Sequence, residues 1–296
     1  MKKYFSLIKF SHTIFAMPFA MIGFCLGVSY LNHNHLELPV NYFGISPVVY
    51  SLLLVVFCMV FARSAAMAFN RFLDEKIDAK NPRTAIREIP AGIIKPQSAL
   101  LFTIICCLLF VICCYAINKL CFYLSFVALF VILFYSYTKR FTALCHLVLG
   151  LGLSLAPIGA FLAVTGVFDL LPVLFSLTVL FWVSGFDIIY ALQDEDFDKA
   201  NKLYSIPSMV GKKNALLISV VLHFFAAALV FYAGIYAHLS AFYWIGVILF
   251  DGMLIYQHSI VKPNDLSKVN VAFMTANGIA SVVFASFVIL DLYFKN

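Results

Sequence analysis

Two stretches of this chain place oxygen-bearing side chains four residues apart at the end of a long apolar run. The first is Asn70, Asp74 and Asp78, and the second is Tyr190, Asp194 and Asp198. Residues at i, i+4 and i+8 share one face of a helix, so each triplet is expected to line its oxygens along one face. Carboxylates stacked in this way repel one another unless a cation lies between them. Magnesium takes hard oxygen ligands, keeps water, and usually accepts one or two carboxylates together with phosphate oxygens. Two such faces set opposite one another would grip a diphosphate through bridging magnesium, with Asn70, Asp74, Asp78, Asp194 and Asp198 as ligands. The alternative is that the acids only solvate helix ends. A single acidic pair leaves that alternative open, and two matched sets argue for a site. Glu75, Glu195 and Asp196 fall off the shared faces and read as solvated.

A diphosphate needs fixed cations as well. Arg71 follows Asn70 directly, Arg83 and Arg87 stand four apart in the first polar segment, and Lys139 and Arg140 end an apolar run. Arginine suits two-pronged phosphate contacts and lysine acts as a point charge. The competing role is anchoring to lipid headgroups, which is the reading for Lys2, Lys3, Lys262 and Lys268. Asp187 lies two helical turns before Asp194 and therefore deeper in the membrane, with Tyr190 one turn above it. A carboxylate inside a bilayer is a functional candidate by default. Asp187 and Tyr190 are the expected catalytic pair, with Asp187 holding the hydroxyl of an aromatic acceptor or taking its proton. A structural hydrogen bond to a neighbouring helix is the alternative for Asp187. His12 is a further candidate for contact with the acceptor, whereas His146 reads as interfacial and His223 as packing.

These side chains must be positioned by helices in a membrane. Hydrophobic residues make up 64% of the chain and charged residues only 11%, against about 25% charged in soluble domains. Apolar runs of roughly 17–25 residues each cross a bilayer as one helix. Such runs fall at about 11–31, 47–69, 98–117, 121–138, 143–167, 171–192, 214–236, 241–257 and 269–292. The expected fold is an all-α integral membrane protein of about nine transmembrane helices. It forms a single domain over 1–296, with polar segments at about 70–97 and 193–213. Of the twenty Lys and Arg residues, this ladder puts only Lys119 and Lys295 on the side away from the N-terminus. The excess of positive charge marks the N-terminal side as cytoplasmic. Both acidic stretches then face the cytoplasm, the multi-pass protein sitting in the cytoplasmic (inner) membrane. The eight cysteines lie in apolar stretches without C-x-x-C spacing and read as small packing residues. No nucleic-acid partner is expected, and oligomeric state is left open.

The motifs now combine. Asn70-x-x-x-Asp74-x-x-x-Asp78, Arg83…Arg87…Pro90-x-Gly92, Tyr137-x-Lys139-Arg140, and Asp187-x-x-Tyr190-Ala191-x-x-Asp194-x-x-x-Asp198 together resemble the UbiA superfamily of membrane prenyltransferases. The stretches from His12 to Ala20, His146 to Gly150 and Ala156 to Ala160 are similar to its 4-hydroxybenzoate polyprenyltransferase branch. The resemblance implies nine helices around a central cavity, a polar cap on the cytoplasmic side, and a lateral opening for a lipid tail. It implies Mg²⁺ held by Asn70, Asp74, Asp78, Asp194 and Asp198, with polyprenyl diphosphate and a small aromatic acceptor as substrates. One segment departs from the pattern. Arg87-Glu88-Ile89-Pro90-Ala91-Gly92 stands where many 4-hydroxybenzoate enzymes resemble Arg-Pro-Leu-Pro-Ser-Gly. That variant is similar to a bacterial subgroup in which some members act on a futalosine-type precursor in menaquinone synthesis. The expected function is magnesium-dependent transfer of a polyprenyl group to an aromatic acceptor, 4-hydroxybenzoate first, in quinone biosynthesis. A transporter of cations or phosphorylated solutes is the competing class, and its sites usually lie near the midplane rather than at one face.

Overall fold

The computed structural model describes residues 2–7, 15–36 and 46–295. His12, expected at the acceptor, lies outside them. Among the described residues there are nine long helices: α1 (Met17–His33), α2 (Pro47–Leu73), α3 (Pro96–Ile117), α4 (Lys119–Thr138), α5 (Cys145–Thr165), α6 (Leu170–Ala191), α7 (Ile206–Tyr236), α8 (Ala241–Ile260) and α9 (Asn277–Lys295). Their order follows the nine expected spans. Seven are long and apolar enough to cross a membrane by length and composition. The described part of α1 has 17 residues, and α8 carries Asp251, Gln257 and His258 among its apolar residues.

Local chemistry sets the helix ends. Proline occupies the first turn of α1, α2, α3 and α7, where its missing N–H costs nothing. Ser205 and Ser208 form a reciprocal capping box at the start of α7. Gly211 then breaks that helix with φ 78°, a value that glycine adopts freely. Gly166 closes α5 with φ 68°.

Helix α5 lies at the centre of the bundle, packed against α1, α4 and α6. α1, α6, α7, α8 and α9 form one side, and α2, α3 and α4 form the other. Apolar side chains gain little by leaving lipid, so close backbone packing carries the association. Gly23 of α1 illustrates this, because a Cβ there would stand 2.0 Å from the Pro157 carbonyl oxygen of α5. On the other side of α5, a Cβ at Gly150 would stand 2.4 Å from the Leu180 carbonyl oxygen of α6.

Several polar residues buried away from the polar segments have structural partners. Asp291 of α9 is fully buried and accepts from the Ser240 N–H (3.0 Å), the Ser240 hydroxyl (2.6 Å) and the Tyr243 N–H (3.1 Å). It therefore caps the N-terminus of α8 from a neighbouring helix. Asp291→Ala is expected to cost about 1–3 kcal/mol, read as a lowered thermal unfolding midpoint in detergent. Turnover at low temperature should be unchanged, and an unmoved midpoint would contradict the assignment.

Between α8 and α9, Val271–Ala276 form a π-helical turn. This wide turn faces Phe273 onto Tyr190, with ring centroids 4.2 Å apart. Behind it, Asn277 accepts from Trp182 and Gln257 and donates to the carbonyls of Ala272 and Phe273.

Candidate active site

The two acidic triplets are not the continuous helical faces that spacing predicts. α2 ends at Leu73, and Asp74 takes φ −89°, ψ 6° before a four-residue helix, Glu75–Asp78. α6 ends at Ala191, and Leu192–Asp194 form a 3-10 turn ahead of the short helix Glu195–Ala200. Aspartate competes with the backbone for hydrogen bonds and readily ends a helix. Each break turns the acids of one segment in different directions, where each meets its own partner.

Asp74 is 2% exposed and lies against two cations: Lys139 Nζ at 3.1 Å from Oδ2 and Arg140 Nη2 at 2.8 Å from Oδ1. Asn70 donates to the same carboxylate at 3.2 Å. Asp78, 3% exposed, accepts from Arg87 Nη1 at 2.7 and 2.8 Å, with Arg71 Nη1 at 3.8 Å. The loop after α2 then reaches over to the second segment. Arg83 takes Asp194 with both prongs, Nε at 3.0 Å from Oδ1 and Nη2 on Oδ2, and donates from Nη1 to the Tyr190 hydroxyl at 2.8 Å. Asn81 also donates to Asp194, at 3.1 Å. Asp198 accepts from the Ser205 hydroxyl at 2.8 Å. Burial holds Asp198 above the usual carboxylate range, against the Ser205 hydrogen bond that favours its ionised form.

The expected bases Arg71, Arg83, Arg87, Lys139 and Arg140 thus stand at the acids, and both segments form one polar cap. Beneath it lies a cavity of about 910 Å³ lined by α2, α3, α4, α5 and α6. Its wall on α2 runs from Arg71 down to Val55, about 24 Å at 1.5 Å per residue. Ile86, Val127 and Phe168 line it and are also 58–81% exposed, so the cavity opens to the outside. Asp187 and Tyr190 both line it just under the cap.

Other residues at the site went unread from sequence. Arg63 lines the cavity seven residues before Asn70, and its Nε is buried with no hydrogen-bond partner. Its signal was available, since it is a charge inside an apolar run, but the charge ladder absorbs it as an anchor. His146 does not lie at the interface. It is 3% exposed, and its Nδ1 is 2.7 Å from Asp187 Oδ2. Glu88 also lines the cavity; its Oε1 accepts from Ser6 and its Oε2 is buried without a partner. His223, read as packing, is buried between His258 and the Trp182 carbonyl.

The donor set suits a hard divalent cation by chemistry alone: among the described residues no three acids are grouped closely enough to hold one, and each carboxylate is engaged by a base or a hydroxyl. Asn70 and the four aspartates offer oxygen only, and the bases that now neutralise them are phosphate ligands by type. Arg71 Nε is buried without a partner on the cavity wall, and it is well placed to donate to an anion there.

A helical membrane bundle whose apolar cavity opens to the outside and ends under paired acids and bases defines a class: integral membrane proteins with a site for an amphiphile that has a charged head. The chain belongs to the UbiA prenyltransferase family, whose model matches residues 41–279, and it is a membrane prenyltransferase. It is 31% identical over 247 residues to a 4-hydroxybenzoate octaprenyltransferase of Nitrosomonas europaea, covering 83% of this chain and 84% of that one. A 4-hydroxybenzoate octaprenyltransferase of Tolumonas auensis is 31% identical over 237 residues, covering 80% and 82%. Among solved structures the chain is similar to the apo structure of a UbiA homolog from Aeropyrum pernix K1, at 26% identity and TM-score 0.77 over 96% of this chain and 98% of that one. It shares its fold with a UbiA homolog from Archaeoglobus fulgidus bound to GPP and Mg²⁺, at 19% identity and TM-score 0.72 over 98% and 99%.

Proposed function

We propose that this enzyme transfers a polyprenyl group from polyprenyl diphosphate to a small aromatic acceptor, 4-hydroxybenzoate in the first instance, with Mg²⁺ as its metal. The active site faces the cytoplasm from the inner membrane. The observation that carries this reading is the single polar cap, built from both acidic segments, over a cavity deep enough for a lipid tail. The names of the curated relatives support the acceptor, and the ligands of the Archaeoglobus homolog support an allylic diphosphate with magnesium.

The residues divide the work as follows. Asn70, Asp74, Asp78, Asp194 and Asp198 would hold the metal. Magnesium, when bound, acts as a Lewis acid and template for the diphosphate. Arg71, Arg83, Arg87, Lys139 and Arg140 exchange their aspartate partners for phosphate oxygens as the head group enters. The apolar wall holds the tail and excludes water, which would otherwise capture the allylic cation. Arg63 stands seven residues, two helical turns, below Asn70, and Asp187 stands the same distance below Asp194. An acceptor with a carboxylate at one end and a hydroxyl at the other meets both. Arg63 takes the carboxylate, and Asp187 takes the hydroxyl proton as the ring carbon attacks. The donor C–O bond breaks and the new C–C bond forms. The ring carbon then loses its proton and the hydroxyl regains one, so diphosphate and one proton leave overall.

A second acceptor is favoured by one observation. Glu88 Oε2 is a buried, unmatched acceptor on the cavity wall, within the segment that departs from the 4-hydroxybenzoate pattern. A larger acceptor of the futalosine type, with further hydrogen-bond donors, would match it.

Purified protein given magnesium, a polyprenyl diphosphate and 4-hydroxybenzoate is expected to release diphosphate and form a prenylated ring. Chelation of the metal should abolish both, and added magnesium should restore them. Solute uptake into liposomes without product would overturn the reading in favour of transport. A panel of aromatic acceptors in the same assay decides between the two acceptor readings.

A further inference from the structure

We infer that His146 is a positioning residue that fixes the orientation of Asp187 and ties it to the second acidic segment; this rests on the reading of Asp187 as the acceptor's base. Both imidazole nitrogens are engaged. Nδ1 lies 2.7 Å from Asp187 Oδ2, and Nε2 lies 3.3 Å from the backbone nitrogen of Ile206. A backbone N–H only donates, so Nε2 must accept, and the ring proton must sit on Nδ1, facing the carboxylate. The ring thus presents one donor to one oxygen of Asp187 and leaves the other oxygen to the cavity. Exposure agrees: the His146 side chain is 3% exposed and that of Asp187 is 16%.

The residue is held at its backbone and at its ring. The backbone carbonyl of His146 lies 3.1 Å from the hydroxyl of Ser184, one turn before Asp187 on α6; that hydroxyl also reaches the Leu180 carbonyl at 2.6 Å. This is the contact at which Gly150 lets α5 and α6 approach. On the other side, Ile206 directly follows Ser205, whose hydroxyl donates to Asp198 at 2.8 Å. A continuous run, Asp198 to Ser205 to Ile206 to His146 to Asp187, therefore joins an acid of the polar cap to the acid at the acceptor. Partners that orient metal-ligating side chains change activity about 10- to 100-fold when removed, and the same range is expected for a partner that orients a base.

The two amides separate the two hydrogen bonds. Asparagine places its amide near Nδ1, so His146→Asn keeps a donor to Asp187 and loses the link to Ile206. Glutamine reaches the Nε2 position, so His146→Gln keeps the link to Ile206 and loses the donor to Asp187. Each variant gives up one buried hydrogen bond, so a purely structural residue would show the same loss in both. With the full-length protein, polyprenyl diphosphate, 4-hydroxybenzoate and magnesium, His146→Gln is expected to lower kcat about 10- to 100-fold with the donor KM unchanged. His146→Asn should restore most of that loss, although both variants lower the thermal midpoint similarly. Equal kcat in the two variants, a wild-type kcat in His146→Gln, or a raised donor KM would overturn the inference. Asp187→Asn is run beside them: wild-type turnover there would refute the reading of Asp187 itself. A slow Asp187→Asn with a fully active His146→Gln would refute the role of His146 alone.

Discussion

Replacing Asp74 with asparagine is expected to lower product formation by about 10³-fold, equivalent to about 4 kcal/mol of lost transition-state stabilisation, while membrane insertion is retained. Asp74 is 2% exposed and faces two cations, Lys139 and Arg140, as well as Asn70. It therefore bears on both halves of the chemistry: it would bind the metal, and its release frees two bases for phosphate. The asparagine variant keeps the shape and the hydrogen bond with Asn70 but loses the charge. Lys139 and Arg140, each 30% exposed, keep access to water and do not become isolated buried charges. The measurement is diphosphate release by the purified variant across a magnesium series, with insertion checked by membrane extraction and thermal midpoint. Retention of more than a tenth of wild-type turnover at saturating magnesium would remove Asp74 from the metal site.

The second large effect is expected at Arg63. Arg63→Met should raise the acceptor KM about 100-fold and leave the donor KM unchanged. Truncating one partner of a buried charge pair costs about 2–5 kcal/mol, and about 2.7 kcal/mol corresponds to 100-fold. A neutral phenol should be used equally well by variant and wild type, since it has no carboxylate for Arg63 to bind. Stability should move the other way. A half-buried cation with a buried, unmatched Nε is costly, so methionine of similar length should hold or raise the thermal midpoint. Function gained against stability is the mark of a binding residue rather than a packing one. If benzoate and phenol acceptors suffer alike, Arg63 does not bind the carboxylate.

Asn70, Asp74, Asp78, Asp194 and Asp198 are legible from spacing because they follow apolar runs whose length and flanking charge place them on one side of a bilayer. The bases Arg71, Arg83, Arg87, Lys139 and Arg140 are legible as a group for the same reason. Arg63 and His146 were visible as residues but not as parts of the site. One charge in an apolar run and one histidine near a helix end each have ordinary explanations, and neither carries a local pattern that excludes them.

Hydrophobic run length, the distribution of lysine and arginine, and the recurrence of acids every fourth residue need only the chain itself. They set the helical membrane class, the order of the spans, and the end of the bundle that holds the acids. Partner choice needed the folded molecule. Arg83 meets Asp194 across 111 residues, and His146 meets Asp187 across 41. Such pairings depend on which helices pack together and how closely. Gly23 against Pro157 and Gly150 against Leu180 set that closeness, and the backbone breaks at Asp74 and Leu192–Asp194 set the direction in which each carboxylate points. Spacing along one helix records which residues share a face. What that face meets follows from backbone contacts between helices far apart in the chain.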